Sequence, residues 1–333
     1  MEEIKFIDLF AGIGGFHLAA TACGGKCVFA SEIDLEAAKA YEANYDIKPH
    51  GDITKVDINE IPTHDLLCAG FPCQPFSIIG NKNGFDDMRG TLFFEIAKIL
   101  KVKKPPMIVL ENVKQLATHD SKRTLTKIIE TLNSLGYKTV WKILNALDYG
   151  LPQKRERILI VGFLDHDVEF SWPKKKQTYK PLSEILEDNV DDKHYASARI
   201  YKKRQEKHTS KYSPGIWHEN KSGNISSYPF SCALRAGASY NYLLVDGERR
   251  LTPREMLRLQ GFPNGFKIVC SDSQTRKQAG NAVPVPMVKA VIKEVIHAST
   301  ETARQKKQKK YRTVSDRGFS AESNLRDKSL AYI

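Results

Sequence analysis

The chain has 333 residues, with 51 Lys or Arg against 39 Asp or Glu and a net charge of +12. That length holds one large domain or two moderate ones, and 41% hydrophobic with 27% charged residues is a globular composition rather than a disordered or fibrous one. No run of about 18 apolar residues occurs and Met1-Glu-Glu-Ile-Lys5 has no secretory signal pattern, so a cytoplasmic protein with no membrane partner is expected; six cysteines are too few for a disulfide framework.

Over residues 1–163, apolar strand-like runs alternate with amphipathic helix-like runs. Residues 5–9, 27–30, 65–69, 107–110 and 158–162 are predicted strands, and 16–22, 35–44, 92–100 and 125–135 predicted helices. This βαβα order predicts an α/β fold with a parallel sheet, which places ligands beyond the carboxyl ends of its strands. The first strand runs into Phe10-Ala-Gly-Ile-Gly-Gly15 and then a helix. Glycines there permit positive φ and close approach of a ligand. Gly12 and Gly14 fit G-x-G-x-x-G, but position 17 is His, so the pyrophosphate cradle is incomplete. Glu32 ends the second strand, 20 residues after Gly12, where a carboxylate accepts hydrogen bonds from a ribose diol. Asp52 stands where an acidic group can take an adenine amino group. The set suits a nucleoside cofactor without phosphates, such as S-adenosylmethionine; the alternative is a tight turn with no ligand.

The third strand leads into Gly70-Phe-Pro-Cys-Gln-Pro-Phe-Ser77. Two prolines stiffen this loop and aim the Cys73 thiol from a strand end. Cys73 reads as a nucleophile, a buried packing residue or a zinc ligand, but the P-C-x-x-C of zinc deaminases fails because residue 76 is Phe. Cys23 and Cys27 lack a second ligand pair, and no metal site is expected. Residues 77–90, with Gly80, Gly84 and Gly90 as hinges and Ile78 and Ile79 as an apolar wedge, read as a lid or as an ordinary surface loop. Glu111 ends an apolar strand, a costly place for a carboxylate unless it reacts or is paired. Gln153, Arg155 and Arg157 alternate onto one face, where the guanidiniums need an anionic or carbonyl partner or salt-bridge a neighbouring helix.

After residue 163 the alternation fails. Residues 165–250 are polar and Tyr-rich, and predict a smaller second domain poor in helix. A stretch at 199–221 has seven Lys or Arg against two Glu, interleaved with Tyr201, Tyr212 and Trp217, which suits a nucleic-acid surface or a solvated loop. Within 231–245, Arg235 is the candidate for a bidentate guanine contact and Tyr240, Asn241 and Tyr242 for phosphate or base edges; the alternative is a core hairpin. Thr252-Pro-Arg-Glu255 signals a helix start, and a last helix is predicted over 285–297. Residues 304–333 carry an excess of six positive charges, half of the total, with few apolar anchors, and read as a mobile tail. Residues 1–150 hold 17 basic and 19 acidic side chains and are no polyanion binder by composition.

Taken together, Asp8-Leu-Phe-Ala-Gly-Ile-Gly-Gly15, Gly70 to Ser77, Glu111-Asn-Val113, Gln153-Lys-Arg-Glu-Arg157, Arg254-Glu-Met-Leu-Arg-Leu-Gln-Gly-Phe-Pro263 and Gly280-Asn-Ala-Val283 resemble the DNA (cytosine-5) methyltransferases, in particular the compact bacterial modification enzymes. The resemblance implies a Rossmann-like methyltransferase domain over 1–163 plus about 282–300, a target-recognition domain over about 165–280 with its variable part at 165–250, and a separate basic tail at 304–333. It implies Cys73 as the nucleophile, Glu111 as the proton donor to ring N3, Arg157 at the cytosine O2, Arg155 in support of Cys73 and the base, and Gln74 beside the sugar-phosphate. Phe10, Ala11, Gly12, Ile13, Gly14, Glu32, Ile33, Asp52, Ile53, Pro72, Leu92, Asn281 and Val283 would hold the cofactor; the family often has an aromatic where Ile33 stands. Ser77, Ile78 and Ile79 would face DNA from the lid, with Arg235, Tyr240, Asn241 and Tyr242 on the recognition side. The implied reaction moves a methyl group from S-adenosylmethionine to C5 of a flipped-out cytosine, leaving S-adenosylhomocysteine. The implied setting is a monomer on double-stranded DNA in a restriction–modification system, without a stable complex with the endonuclease. The alternatives are a tRNA cytosine-5 methyltransferase, which the long 165–250 insert disfavours, and an inactive DNA-binding regulator, which the complete catalytic set disfavours.

Overall fold

Side-chain alternation builds the central sheet. In chain order the first region comprises β1 (Ile4–Leu9), α1 (Gly15–Thr21), β2 (Gly25–Ser31), α2 (Leu35–Tyr45), β3 (Leu66–Gly70), α3 (Leu92–Lys103), β4 (Met107–Val113), α4 (Arg123–Ser134), β5 (Lys138–Asn145), β6 (Gln153–Lys154) and β7 (Glu156–Phe163). The computed structural model describes residues 3–72 and 92–326, with side chains through residue 309. Six of the strands form one sheet in the order β2-β1-β3-β4-β7-β5. β1 to β4 are mutually parallel, and β7 enters antiparallel between β4 and β5.

Each inner strand is apolar on both faces, as a sheet covered on both sides requires. Phe6, Cys68, Val109, Leu159 and Val161 meet the core that holds Phe16 and Ala19 of α1. Ile7, Leu67, Ile108, Leu110, Ile158 and Ile160 meet the other, with Phe93 and Ile96 of α3 and Ile128 and Leu132 of α4. The predicted strands and helices of this region all form, with bounds shifted by up to three residues. β5 was not anticipated: as the edge strand it leaves Val140, Trp141 and Ile143 exposed, so no buried alternation marks it.

The second region holds α5 (Ala198–Lys207), β8 (Ile216–Glu219), β9 (Ile225–Tyr228), β10 (Ser231–Cys232), β11 (Leu243–Val245), α6 (Pro253–Gln260), α7 (Asp272–Asn281) and α8 (Val285–Arg326). β8, β9 and β11 make a small antiparallel sheet, whereas β10 pairs in parallel with β6 and so docks this region onto residues 153–154. The basic 199–221 stretch is not a plain solvated loop. It includes helix α5, whose Arg204 is buried against Glu219 (2.8 Å), and Trp217 lies in the core rather than on the surface.

α8 packs on α1 and continues well past residue 297. Residues 304–326, read as a mobile tail, are helical. The first part of this stretch, residues 304–312, is rich in Lys, Arg and Gln, which are strong helix formers. Lys306 contacts Asp165 (2.7 Å) and Asp167 (2.8 Å), just beyond the end of β7. Because Phe163 pairs with Met107, the first residue of β4, this contact lies at the amino edge of the parallel strands.

α6 starts on the capping box read from the sequence. Thr252 Oγ1 accepts from the Glu255 N–H (3.1 Å), and Glu255 Oε2 accepts from the Thr252 N–H (2.8 Å). The fully buried Glu255 carboxylate is also held by both terminal nitrogens of Arg249 (2.9 and 2.8 Å). Thr252→Ala removes the acceptor of the Glu255 N–H together with the hydroxyl's donation to Glu187 Oε2 (2.5 Å), and is expected to lower the unfolding free energy by about 1 kcal/mol, read as a shifted urea midpoint with an unchanged slope; an unmoved midpoint refutes the assignment.

Candidate active site

The carboxyl ends of β1, β2, β3 and β4 open into one cavity of about 490 Å³, closed on its far side by residues 277–283. Its wall brings together Phe10, Ala11, Gly12, Ile13, Glu32, Ile33, Asp52, Ile53, Pro72, Leu92, Asn281 and Val283 with Glu111, Arg155, Arg157 and Arg235. Cys73, Gln74, Ser77, Ile78 and Ile79, and the 77–90 stretch read as a lid, lie outside the described residues.

Positive φ at Phe10 (56°), Gly12 (56°) and Gly14 (80°) turns the chain from β1 into α1. A Cβ on Gly12 would have no atom within 4 Å, so that face of the loop is open; one on Gly14 would sit 2.2 Å from the Tyr45 ring. Gly14 thus shapes the loop from behind and does not line the cavity. Glu32 ties the loop to β2, accepting from the Gly12 N–H (2.7 Å) and the Asp34 N–H (2.7 Å). Burial holds its carboxyl above the usual range, against the pull of those donors. Asp52 accepts from the Thr54 N–H (3.0 Å) and hydroxyl (2.8 Å) through one oxygen. Ile33 is mostly exposed at the rim. Lys277 of α7 reaches Asp34 (2.6 Å) across the mouth of the cavity, a contact no sequence signal marked.

His17, which breaks the third glycine position, faces inward. Its ring stacks on Tyr45 (4.0 Å between centroids) and its Nδ1 lies 2.6 Å from the Tyr41 hydroxyl. Its backbone N–H donates to Asp8 (3.1 Å), whose fully buried carboxyl is pushed well up by desolvation. Burial pushes the His17 imidazole down to about 4.

At the end of β4, Glu111 Oε1 meets Arg157 Nε at 2.9 Å, with both side chains largely buried. Burial raises the Glu111 carboxyl above its usual range, while the Arg157 and Arg155 guanidiniums pull it back. A carboxyl so placed holds a proton more readily than an exposed one and can deliver it. Next to it, the Asn112 side-chain amide donates to the Phe71 carbonyl (2.7 Å) and fixes the strand end that leads to Pro72. Arg155 has taken the carbonyl option left open by the sequence: its terminal nitrogens donate to the Leu234, Gly280 and Ala282 carbonyls.

On the recognition side, the Arg235 guanidinium lies 4.8 Å from the Tyr242 ring centre. Tyr242 is buried and its hydroxyl accepts from the Arg235 N–H (3.0 Å), so it props Arg235 instead of presenting an edge to a ligand. Tyr240 is half exposed with the Arg250 and Arg276 guanidiniums over its ring (5.8 and 4.4 Å). The Asn241 side-chain oxygen is buried without a partner, and its carbonyl accepts from Arg204.

These features define a nucleoside-sized cavity that abuts a carboxyl–guanidinium pair, and comparison with known proteins gives the class. The chain belongs to the C-5 cytosine-specific DNA methylase family, whose pattern matches residues 4–297, and is a DNA cytosine-5 methyltransferase. It is 55% identical over 292 residues to the Type II methyltransferase M.NgoBI of Neisseria gonorrhoeae, covering 87% of this chain and 92% of the relative. To the Type II methyltransferase M.HaeII of Haemophilus aegyptius it is 53% identical over 308 residues, covering 92% and 96%. The solved S. pombe Dnmt2 methyltransferase shares the fold at a TM-score of 0.67 and 20% identity, over 88% of this chain and 98% of that one.

The buried imidazole has a measurable signature. Its folded pKa of about 4 lies below the ordinary 6.5, so the unfolded chain binds the proton first on acidification. The His17 contribution to stability therefore declines as pH falls below 6.5 and levels off near 4. His17→Gln is expected to flatten that part of the urea-denaturation profile; an unchanged slope contradicts the burial assignment.

Proposed function

We propose that this protein methylates C5 of a cytosine flipped out of double-stranded DNA, with S-adenosylmethionine as donor, at a short specific site within a restriction–modification system. The observation that carries the reading is the Glu111–Arg157 pair opening onto the same cavity as the Gly12 loop and Glu32. The residues fit that cofactor: the Gly12 face is open, the loop offers no complete phosphate cradle, and Glu32 and Asp52 are the carboxylates a ribose diol and an adenine amino group need. Phe10, Ala11, Gly12, Ile13, Glu32, Ile33, Asp52, Ile53, Pro72, Leu92, Asn281 and Val283 would hold it, with Gly14 shaping the turn. When bound it supplies an electrophilic methyl group on a cationic sulfur.

The chain's own residues do the rest. Cytosine C5 is a weak nucleophile until the ring loses aromaticity. Cys73, as thiolate, adds to C6 while the Glu111 carboxyl gives its proton to N3, leaving C5 as an enamine carbon. Arg157 places positive charge beside O2, where electron density grows. Once C5 is methylated, its proton leaves to solvent, the C6–S bond breaks with its electrons returning to Cys73, and N3 returns its proton to Glu111. Flipping the base costs a few kcal/mol of pairing and stacking. Gln74 beside the sugar-phosphate, and Ser77, Ile78, Ile79, Arg235, Tyr240 and Asn241 as DNA contacts, complete the assignment. The protein acts as a cytoplasmic monomer, functionally paired with an endonuclease but not stably bound to it; the Type II designation of the relatives supports that setting.

Bisulfite sequencing of a plasmid incubated with protein and S-adenosylmethionine is expected to return one short methylated motif. No conversion-resistant cytosine, with methyl transfer to tRNA instead, would overturn the DNA reading. Wild-type protein should form a covalent adduct on duplex containing 5-fluorocytosine, and Cys73→Ser should form none. Glu111→Gln should lower kcat by about 10²-fold or more. Arg235→Ala should weaken binding to the methylated motif far more than to unrelated duplex; equal losses remove Arg235 from base reading.

A further inference from the structure

Leu234, the residue before Arg235, has both backbone polar groups held by the Gln153-x-Arg155 segment. Its N–H donates to Gln153 Oε1 (3.1 Å), and its carbonyl accepts from Arg155 Nη1 (2.8 Å). The other terminal nitrogen of the same guanidinium donates to the carbonyls of Gly280 (2.9 Å) and Ala282 (2.8 Å), which flank Asn281. Arg155 is 1% exposed, and Gln153 is anchored in turn by its amide to the Leu259 carbonyl (2.9 Å). The two segments that share this cation also touch directly. A Cβ on Gly280 would sit 2.4 Å from the Ala236 backbone nitrogen.

A planar guanidinium in a buried site holds its acceptors in fixed directions. Moving either segment alone would leave a buried carbonyl or a buried N–H without a partner, which costs more than an ordinary hydrogen bond contributes. Residues 280–282 and 234–236 are therefore expected to move as one. Two residues on, Arg157 holds Glu111 (2.9 Å), so the clamp is attached to the proton donor. We propose that Arg155 is a positioning residue that couples occupancy of the cofactor side of the cavity, at Asn281 to Val283, with target reading at Arg235. The coupling is reciprocal: each ligand tightens the other by the same factor.

This inference rests on the cofactor and DNA assignments above. The test measures Kd for a duplex bearing the methylated motif, with and without saturating S-adenosylhomocysteine, and Kd for S-adenosylhomocysteine with and without that duplex. Wild-type protein is expected to show a mutual factor of about tenfold. In Arg155→Lys, whose single ammonium cannot fix three carbonyls in a plane, the factor should fall to about threefold or less. A purely structural role would weaken each ligand and leave the factor unchanged, so a retained factor overturns the proposal, as does a wild-type factor of one. Should Arg155→Lys not fold, Gly280→Ala keeps all three acceptors but pushes on Ala236, and is also expected to lower the factor; full coupling there overturns the proposal too. Wild-type protein that methylates no DNA would instead refute the function on which the inference rests.

Discussion

One carboxylate and one guanidinium are buried and a second guanidinium is largely so at the end of an apolar sheet, and they must satisfy one another or find other partners in the chain. Removing one member of such a set leaves a buried charge uncompensated, at a cost of several kcal/mol. What allows the set to exist is the reversed direction of β7. Val113 at the carboxyl end of β4 pairs with Arg157 near the start of β7. A parallel β7 would put that start at the amino edge, about 13 Å from Glu111 by the rise of the four residues from Met107. The antiparallel insertion brings the 153–157 segment to the same edge as the glycine loop. The parallel pairing of β6 with β10 then brings the recognition segment to that segment.

The opposite wall follows a different rule. There the chain must turn tightly, and the residues behind the turn determine its shape. Tyr45 fills the space a side chain at position 14 would need, and its hydroxyl donates to the Ile13 and Gly14 carbonyls (3.2 and 3.0 Å). His17 completes the stack where a dinucleotide-binding loop would have glycine. A loop backed by rings and tied by Glu32 is stiff on its inner side and open on its outer side. That is the arrangement preorganised binding requires.

Much of this was legible because the physics is local. Strands buried on both faces read as continuous apolar runs, and the Thr252–Glu255 cap is spelled out by residue type and spacing. The blocks around Gly12, Glu111 and Arg157 are each ambiguous alone and read as a set only through their resemblance to the cytosine-5 methyltransferases. What escaped depends on distant partners. Edge strand β5 has no buried face to mark it. The direction of β7 is not encoded in its own residues. Arg155 and Arg157 look equivalent in alternation, yet one pairs with a carboxylate and the other with three carbonyls that are 79 to 127 residues away in sequence. Trp217 reads as an aromatic among surface cations and Tyr242 as a phosphate or base-edge contact or part of a core hairpin; both are buried, Trp217 edge-on to the His208 ring and Tyr242 under the Arg235 guanidinium.

The course of α8 has a practical corollary. The helix starts beside Gly15 at the cavity edge, where Val283 packs, and passes Asp165 at the opposite edge. Its remaining twenty residues or so, to Arg326, extend about 30 Å at 1.5 Å per residue. A label attached near Arg326 would be carried on a helical spacer beyond the Asp165 edge, away from the cavity at the carboxyl ends of the strands and clear of the path by which a long polymer would approach it.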